Sequence, residues 1–443
     1  MSRPLVHVLV INWNGEEHLE ACFDALLKQT YDNVRVILVD NASTDDSVKM
    51  VQDRFGAGPR VEILRCASNL GWSGGNNVGM SYSLALGADY IFLLNNDTAT
   101  SPDAIARLVE FAEQRPRAGA VAPKMLLFDQ PFLINSVGIA CSIVGSAWDE
   151  GLGRADSPRW SEAKNVLGVC GGAMFLRAEA LRAAGILPDD FEIYLDDLDL
   201  CLRIWDAGYE CWSCPSATVR HKFSATMGEG ARARRKYYLN TRNRLRLILR
   251  NFPASRLASV LAQYAVSEVR SIGRAMLNGE AWKLAAHLQS WFAAIGYLPK
   301  AMAQRRSAKN NGRTLGSFWR LVRTDIRFFP GIELPNRGWY APRLLNGTEI
   351  RPISSRATAE VSAGELSVTH ANCYPHLGAT DVELQLNGRI MANLTANGAP
   401  RTERFAVKAG TLELVSRRLF DAETTGESFD IGGWIALHPS QSD

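Results

Sequence analysis

Short apolar segments alternate with amphipathic segments through the first half of the chain, and this alternation predicts a doubly wound α/β domain. Apolar segments of this length, bounded by polar residues, are typical of parallel strands that are buried on both faces. The five predicted strands are LVHVLVI (5–11), VRVILVD (34–40), VEIL (61–64), DYIFLL (89–94) and AGAVAP (118–123). In such a sheet, ligands bind beyond the carboxyl ends of the strands, so the polar residues that follow each strand are the candidates for binding and chemistry.

Two changes of pattern divide the rest of the chain. After about residue 231 the apolar positions have helical spacing, and after about residue 330 they alternate with a period of two. The dipeptide Asn387-Gly388, between two alternating segments, predicts a β-hairpin. We therefore expect three parts, which are an α/β domain at 1–230, a basic amphipathic helical segment at 231–330 and a β-sandwich-like domain at 331–443.

The composition is that of a globular protein. Of 443 residues, 47% are apolar and 21% are charged, which excludes a disordered, collagenous or coiled-coil chain. No apolar segment approaches the roughly 18 to 20 residues that cross a bilayer, and no secretory signal is recognisable, so we expect a cytoplasmic protein. Eight scattered cysteines predict free thiols. A zinc site at Cys211 and Cys214 is the alternative, although no second CxxC pair accompanies them.

The basic residues are concentrated in one region. The net charge is only +3, but residues 224–330 contain 20 lysines and arginines against four acidic residues. Such a region suggests an anionic partner, and two interpretations stay open, a solvated helical surface or peripheral contact with the inner face of an anionic membrane. The residues of the second interpretation are Arg232, Arg234, Arg235, Lys236, Trp282, Trp291, Phe292 and Tyr297. No nucleic-acid-binding motif is present, so we expect no nucleic-acid partner.

One carboxylate and two amides follow the predicted strand DYIFLL directly. These are Asn95, Asn96 and Asp97. Hard oxygen ligands at a strand end suit Mg²⁺ or Mn²⁺. The alternative is that Asp97 caps the next helix. A lone histidine, His221, becomes a plausible ligand of the same metal only if the fold brings it to Asp97.

Two adjacent acids, Asp196 and Asp197, open a predicted amphipathic helix that ends near Gly208. A purely structural role is the simpler explanation, since acidic residues are favoured at helix N-termini. The helix dipole would also keep a carboxylate ionised, and an ionised carboxylate that faces a crevice can act as a general base. We therefore hold a catalytic role for Asp197 as a hypothesis.

The segment NLGWSGGNNVG (69–79) combines glycines with three asparagines, among them Asn69 and Asn76. Glycines let the backbone approach a ligand closely, but a turn before a helix explains the composition equally well. The segment matches neither the dinucleotide-binding nor the Walker A glycine motif.

Seven motifs in one order resemble the family 2 glycosyltransferases, in particular the bacterial rhamnosyltransferase-like members, over about residues 5–250. The motifs are VINWN (10–14), VDNAST (39–44), NLGWSGGNNVG (69–79), LLNNDT (93–98), CGGAMFLRAEAL (170–181), YLDDLDLCLR (194–203) and RHKFSAT (220–226). The resemblance implies a GT-A fold and an inverting reaction, in which an acceptor hydroxyl attacks the anomeric carbon of a nucleotide-diphosphate sugar. The tail from about residue 338 to 436 resembles the small β-sandwich that some bacterial members carry.

The resemblance also implies roles for individual residues. Asp197 would be the catalytic base with Asp196 beside it, and Asp97, Asn95 and His221 would hold the Mn²⁺ or Mg²⁺. The donor would contact seven residues, with Arg242 at its phosphates; they are Asn12, Asn14, Asp40, Asn69, Asn76, Asn96 and Arg242. The chain departs from the family pattern at two positions. At the metal site Asn95 stands where a DxD motif has its first Asp, and beside the base Asp196 stands where the family has a Glu.

The resemblance favours dTDP-L-rhamnose as donor and a cell-surface polysaccharide or lipid-linked glycan as acceptor. A UDP- or GDP-hexose donor is the alternative. A different class of function also stays open, a non-catalytic glycan-binding or assembly subunit in which the β-rich tail does the binding. For the tail itself three interpretations stay open, since it could bind the glycan acceptor, dock a partner or only cover the catalytic domain. The sequence does not indicate the oligomeric state.

Overall fold

The computed structural model describes residues 3–56, 59–222, 231–324, 340, 343–345, 348–354, 356–361, 363–372, 379–416 and 433–439. The chain divides into two compact units. The first comprises Met1–Phe128, Asn135–Glu150 and Pro158–Arg327, and the second comprises Asp129–Ile134, Gly151–Ser157 and Phe328–Asp443. The boundary expected at residue 230 lies inside the first unit, and the one expected at residue 330 lies near the change at residues 327 and 328.

Eleven strands precede residue 222 in the described part of the chain. They are β1 Val6–Asn12, β2 Val34–Asp40, β3 Val61–Arg65, β4 Tyr90–Asn95, β5 Thr98–Thr100, β6 Ala118–Leu127, β7 Ile134–Ser136, β8 Ile139–Cys141, β9 Ala147–Asp149, β10 Ala173–Arg177 and β11 Glu210–His221. The helices are α1 Glu16–Leu27, α2 Ser47–Phe55, α3 Gly71–Ala85, α4 Ala104–Glu113, α5 Ala178–Ala184, α6 Asp196–Asp206, α7 Ala231–Asn251, α8 Ala254–Leu277 and α9 Trp282–Asn310. All five predicted strands are present.

The main sheet has the strand order β3-β2-β1-β4-β10-β6-β11-β5. Strands β1 to β4 pair in parallel, whereas β10 runs antiparallel to both of its neighbours, β4 and β6. The expected α/β class with a GT-A arrangement is therefore confirmed, although the sheet is mixed. Strand β10 follows directly after Cys170, Gly171 and Gly172. Because β10 is antiparallel to β4, its first residue, Ala173, pairs with Leu94 near the carboxyl end of β4.

Both faces of the central strands are buried, which explains their continuous apolar sequences. Leu9 in β1 belongs to a core cluster with Met80 of α3, whereas Val8 belongs to a second cluster with Phe23 of α1 and Leu108 of α4. Successive side chains of a strand point to opposite faces, so helices cover the sheet on both sides. The polar residues at the strand ends are thereby left as the natural lining of a site.

Glycines in NLGWSGGNNVG set the distance between α3 and the sheet. A Cβ on Gly75 would lie 2.4 Å from Ile11 Cδ1, and one on Gly79 would lie 2.8 Å from Val39 Cγ2. The segment is mostly helix, since α3 begins at Gly71, whose φ is +74°. These two glycines therefore serve close helix–sheet packing.

The basic segment forms α7, α8 and α9, and these helices complete the first unit. Leu247 and Ile248 of α7, and Phe252 directly after it, are buried in the same cluster as residues of the sheet. Among the described residues, no helix combines the length and the hydropathy that a membrane span requires.

The second unit is β-rich, as expected. Its strands are β12 Arg343–Leu345, β13 Thr348–Ile353, β14 Arg356–Val361, β15 Gly364–Ala371, β16 Thr380–Leu386, β17 Arg389–Ala396, β18 Arg401–Val407, β19 Gly410–Ser416 and β20 Gly433–Pro439. They form two sheets, β12-β13-β20-β15-β18 and β14-β19-β16-β17, around one core. The hairpin at Asn387-Gly388 is confirmed, and the φ angles of +49° and +77° fit a type I′ turn.

Seven of the eight cysteines lie in the described part of the chain, and all seven are free thiols, as predicted. Cys373 lies outside the described residues. Cys211 and Cys214 are both buried. Burial of these two small side chains agrees with a packing role.

Candidate active site

Asp97 and His221 form the first part of the site because two strands end beside each other. Strand β11 pairs with β5 so that His221 lies opposite Thr98, and Lys222 N donates to Asp97 O at 3.0 Å. This register places His221 Nε2 3.3 Å from Asp97 Oδ1, with each side chain 12% exposed. The fold thus meets the condition for a shared role of these two residues.

The protonation of His221 follows from its second nitrogen. Nδ1 lies 2.6 Å from the amide oxygen of Asn135, which can only accept, so Nδ1 carries the proton. In the neutral ring Nε2 then presents a lone pair to Asp97 Oδ1, a buried oxygen that accepts no hydrogen bond from any described residue. A protonated ring would form an ion pair with Asp97 at this distance, whereas the neutral imidazole and the carboxylate are both suitable ligands for a metal cation.

The pair fits a divalent cation that takes its other ligands from substrate and water. Among the described residues, no group of three or more His, Cys, Asp or Glu side chains is arranged to hold a metal. Mg²⁺ sites of transferases commonly use one or two protein ligands together with substrate phosphates. The donor diphosphate would therefore belong to the coordination shell.

The two amides before Asp97 already have partners. Asn95 Oδ1 accepts a hydrogen bond from Trp72 Nε1 at 3.0 Å, and Asn96 Nδ2 donates to Asn12 Oδ1 at 2.8 Å. Of the three polar side chains that follow β4, only Asp97 offers a buried oxygen without a donor.

Asp196 and Asp197 open α6, as predicted, and form the second part of the site. Asp197 Oδ2 accepts the N–H of Gly171 at 2.9 Å, and Oδ1 accepts that of Leu198 at 2.7 Å. Asp196 is buried and accepts a hydrogen bond from Ser73 Oγ. Asp197 keeps partial exposure to solvent, so it is the acid that a substrate can reach.

The expectation that the helix dipole keeps Asp197 ionised is wrong. Burial, and then the negative charge of Asp196, raises the pKa of Asp197 to about 7. Burial likewise raises the pKa of Asp196 to about 6. Desolvation thus outweighs the two N–H donors and the dipole, and it places the pKa of Asp197 near neutral pH.

Gly171 and Gly172 separate the two parts of the site. A Cβ on Gly171 would lie 3.4 Å from Asp197 Oδ2 and 2.6 Å from a ring carbon of Trp72. A Cβ on Gly172 would lie 3.4 Å from His221 Cε1. Because consecutive Cα atoms are about 3.8 Å apart, the acid and the metal pair both face one short stretch of backbone.

Sequence analysis missed Asp149 at the end of β9. This acid keeps partial exposure to solvent and lies near Ser136, Cys170 and His221, and its buried Oδ1 has no partner among the described residues. Burial raises the pKa of Asp149. No motif marks it in the sequence. Trp72 and Ser73 were also missed, although both lie within the segment 69–79.

Polar residues of the expected nucleotide pocket lie at the ends of β1 and β2. Asn12 is buried and donates to Ser43 Oγ at 3.0 Å, so it ties β1 to the loop after β2. Asn14 has a φ of +51° and accepts the N–H of Thr44 at 2.7 Å. Asp40 Oδ1 accepts the N–H of Ser43 at 3.2 Å.

Two asparagines of the segment 69–79 occupy different positions. Asn69 Oδ1 accepts the N–H of Gly71 at 2.9 Å and Asn41 Nδ2 at 3.1 Å at the start of α3. Asn76 is fully buried inside α3 and donates to Trp72 O at 3.0 Å. The structure therefore keeps Asn69 near the strand ends and points the amide nitrogen of Asn76 into its own helix.

Arg242 and Asn243 hold the loop that precedes α6. Arg242 forms an ion pair with Glu192 at 2.7 Å and donates to Phe191 O at 3.0 Å. Asn243, which sequence analysis missed within YYLNTRN (237–243), points Nδ2 at the carbonyls of residues 191, 193 and 194 at 2.9 to 3.0 Å. The structure does not bring Arg242 into the group around Asp97.

The same loop has unusual backbone geometry. Glu192, Tyr194 and Leu195 have φ angles of +67°, +71° and +63°. Positive φ costs a non-glycine residue about 1 to 3 kcal/mol, and such residues concentrate at functional sites. Arg242 and Asn243 therefore stabilise a strained segment directly before the two candidate catalytic acids.

Comparison with known proteins identifies the domain. Residues 7–183 match the family described as Glycosyl transferase family 2. This part of the chain is a family 2 glycosyltransferase domain. The enzyme class that the motifs imply is thereby confirmed, but Asp196, Asp197 and His221 lie beyond the matched residues, so only the geometry supports their roles.

Curated relatives match this glycosyltransferase domain rather than the whole chain. An uncharacterized Sinorhizobium fredii protein, y4gI, is 28% identical over 237 residues, which are 51% of this chain and 25% of that protein. The N-acetylglucosaminyl-diphospho-decaprenol L-rhamnosyltransferase of Mycobacterium tuberculosis is 26% identical over 241 residues, which are 50% of this chain and 77% of that protein.

Solved structures add a remote likeness. The crystal structure of GalNAc-T7 with UDP, GalNAc and Mn²⁺ is 15% identical, with a TM-score of 0.47 over 57% of this chain and 48% of that one. A likeness of this size carries no argument about function.

Proposed function

We propose that the domain transfers a sugar from a nucleotide-diphosphate donor to a glycan hydroxyl, with inversion at the anomeric carbon. One observation carries this proposal: Asp197 lies against Gly171, and His221 of the Asp97–His221 pair lies against the adjacent Gly172. A direct displacement needs a base on the acceptor side and positive charge at the departing diphosphate. The two groups supply these requirements from adjacent positions.

Each residue then has a defined task. Asp197, with a pKa near neutral pH, accepts the proton of the acceptor hydroxyl. Burial keeps the pKa of Asp197 high, and the negative charge of Asp196, which Ser73 holds in place, raises that pKa further. Asp97 and His221 would hold a divalent cation, which when bound supplies the charge that stabilises the leaving diphosphate. A non-catalytic glycan-binding subunit would require none of this arrangement.

The favoured donor is dTDP-L-rhamnose, with a UDP- or GDP-hexose as the alternative. Support comes from the seven motifs and from the similarity to the Mycobacterium tuberculosis relative, which is an L-rhamnosyltransferase. The polar ends of β1 and β2, with Asn14, Asp40 and Asn69, would contact the nucleotide. Asn12, Asn76 and Asn96 would support the residues that contact the nucleotide. Arg242 would affect phosphate binding indirectly, by holding the loop before α6.

The donor can be identified by thermal shift with and without Mn²⁺, because a ligand that binds only the folded state raises Tm. We expect dTDP-L-rhamnose to give the largest rise among dTDP-L-rhamnose, UDP-glucose, UDP-galactose and GDP-mannose. Asp97→Ala should abolish the Mn²⁺-dependent part of the shift, while Asp53→Ala on the exposed face of α2 should retain it. A full Mn²⁺ response in Asp97→Ala would remove the metal pair from the proposal.

The acceptor is proposed to be lipid-linked and to be reached while α8 and α9 rest on an anionic bilayer. These helices expose large apolar residues, with Leu277 at 89% and Phe292 at 73%. The apolar face consists of Val266, Val269, Met276, Leu277, Leu288, Phe292, Ile295, Leu298 and Met302. Exposed Arg270 and Arg306 flank it, and such a mixture of apolar and basic side chains complements anionic lipid.

The structure corrects part of the expected membrane surface. Tyr297 is buried, and Trp291 donates its indole N–H to Glu268 at 3.2 Å. Trp282 packs edge-on against Tyr237. Of the four aromatic residues expected at a membrane, Phe292 is the one that lies on the apolar face.

Sedimentation with vesicles tests this surface. We expect the protein to bind phosphatidylglycerol vesicles more strongly than phosphatidylcholine vesicles, and Phe292→Ser with Ile295→Ser to reduce binding severalfold. Leu86→Ser, at an apolar residue that is 45% exposed elsewhere, is the matched control. The proposal is contradicted if the double variant binds vesicles as strongly as the wild type. It is also contradicted if the double variant loses self-association while its lipid binding is unchanged.

A further inference from the structure

A cavity of about 250 Å³ lies at the C-terminal end of α6. Its charged and polar lining residues come from α6, α7, α9 and the segment after α9, and they are Arg203, Asp206, Arg250, Asn251, Gln304, Ser307 and Arg313. Asp206 follows Asp197 by nine residues, which is about 14 Å along a helix axis. The cavity is therefore separate from the candidate active site.

Two arginine N–H groups in this region have no acceptor. Arg250 Nη1 and Arg313 Nε are buried and lack a hydrogen-bond partner among the described residues. The other contacts of these guanidinium groups hold them in place, because Arg250 Nε lies 3.4 Å from Asp199 and Arg313 Nη2 donates to Ala183 O. A buried polar group without a partner costs about 1 to 3 kcal/mol, and more when it is charged. These two N–H groups are thus available to a ligand that can accept hydrogen bonds.

Positive charge exceeds negative charge around the cavity. Asp199 is shared, since it lies 2.8 Å from Arg203 as well as 3.4 Å from Arg250. Among the described residues Arg313 forms no ion pair, although the charge of Asp206 acts on it. Water could accept the free N–H groups but would leave this excess charge unbalanced.

Asp206 does not accept a hydrogen bond from Arg250 Nη1 or Arg313 Nε. Its Oδ1 accepts the N–H of Gly316 at 2.8 Å and both the N–H and the hydroxyl of Ser317 at 3.1 Å. Its Oδ2 has no partner among the described residues. Burial raises the pKa of Asp206 to about 7, so near neutral pH a protonated Asp206 can donate to a bound oxygen.

We propose that this cavity binds a phosphoryl oxyanion through Arg250 Nη1 and Arg313 Nε. Guanidinium groups match phosphate oxygens in geometry and in charge. The cavity is several times larger than the roughly 30 Å³ occupied by one water molecule. It can therefore hold either free phosphate or the phosphate group of a small organic molecule.

Isothermal titration of the full chain with inorganic phosphate and, separately, with glucose 1-phosphate tests this proposal at constant ionic strength. Arg313→Gln removes one donor from the cavity, and Arg313→Lys retains its charge. Arg306→Gln, an exposed arginine of α9 outside the cavity lining, is the matched control. Asp97→Ala separates this cavity from the candidate diphosphate site.

We expect one anion per chain, affinity about tenfold weaker in Arg313→Gln, and an intermediate loss in Arg313→Lys. Arg306→Gln and Asp97→Ala should bind as the wild type does. Tighter binding of glucose 1-phosphate would identify an organic phosphate as the ligand, and tighter binding of phosphate would identify the free ion. The proposal fails if neither anion binds, if Arg313→Gln binds normally, or if binding disappears in Asp97→Ala.

Discussion

Helix α6 carries a buried carboxylate with a raised pKa near each of its ends, but the two surroundings differ. Burial raises the pKa of Asp197, at the N-terminal end, and that of Asp206, at the C-terminal end, to about 7. Asp197 keeps partial exposure and faces Gly171 and Gly172, beyond which lies His221. Asp206 is 3% exposed and lies among arginines.

This comparison shows that a raised pKa does not by itself mark a catalytic acid or base. Access to substrate and the charge of the neighbours decide what a carboxylate can do. At the N-terminal end a second acid, Asp196, adds negative charge beside an open face. At the C-terminal end three donors fix one oxygen of Asp206, and the excess of charge is positive.

The largest expected effect is at the N-terminal end. Asp197→Asn should lower kcat for sugar transfer by roughly a hundredfold or more, because the amide cannot accept the acceptor's proton. Donor affinity should stay within a few fold. Steady-state kinetics and donor titration measure the two effects, with Asp53→Asn on the exposed surface of α2 as the charge-matched control. Unchanged turnover would remove Asp197 as the base.

The pH dependence should reflect the same residue. Because the base must be deprotonated, kcat/KM should rise with unit slope below about pH 7 and level off above it. At pH 6 the rate should therefore be about tenfold below the plateau, since one pH unit is a factor of ten in the deprotonated fraction. A rise centred near pH 4 would mean that an unperturbed carboxylate is the base.

Most of the fold and part of the candidate site can be predicted from the sequence. The features that can be predicted depend on local patterns, and the others depend on contacts between residues far apart in the chain. The five strands and the start of α6 depend on local apolar patterns, so they are predictable. The Asp97–His221 pair needs the pairing of β5 with β11, which joins residues more than 120 positions apart. Asp149 and Asn243 act through tertiary contacts, for which no local pattern exists.

A smaller effect should come from the loop that positions the two acids. Asn243→Ala removes the amide that faces the carbonyls of residues 191, 193 and 194, so we expect the free energy of unfolding to fall by about 1 to 3 kcal/mol. The strained backbone should relax, and kcat should fall about tenfold while donor affinity changes little.

Asn240→Ala is the matched control on the same helix, because Asn240 donates only within α7, to Lys236 O. Urea unfolding and steady-state kinetics of both variants check the prediction. Equal kcat values for Asn243→Ala and Asn240→Ala would show that the loop geometry does not position Asp197.

The smallest effect on sugar transfer is expected at the C-terminal end of α6, where the change should appear in stability instead. The pKa of Asp206 is about 7 in the folded state and about 3.9 when unfolded, so the folded state binds the proton more tightly. Its contribution to stability is present below pH 4 and is lost as the pH rises towards 7. Asp206→Asn mimics the protonated acid and keeps an oxygen for Gly316 and Ser317. In phosphate-free buffer, urea unfolding should therefore show the variant equal to the wild type at low pH and more stable at pH 8 by about 2 to 4 kcal/mol, since each pKa unit corresponds to about 1.4 kcal/mol. A less stable variant at pH 8 would show instead that Arg313 keeps Asp206 ionised, and the similarity between the two ends of α6 would not hold.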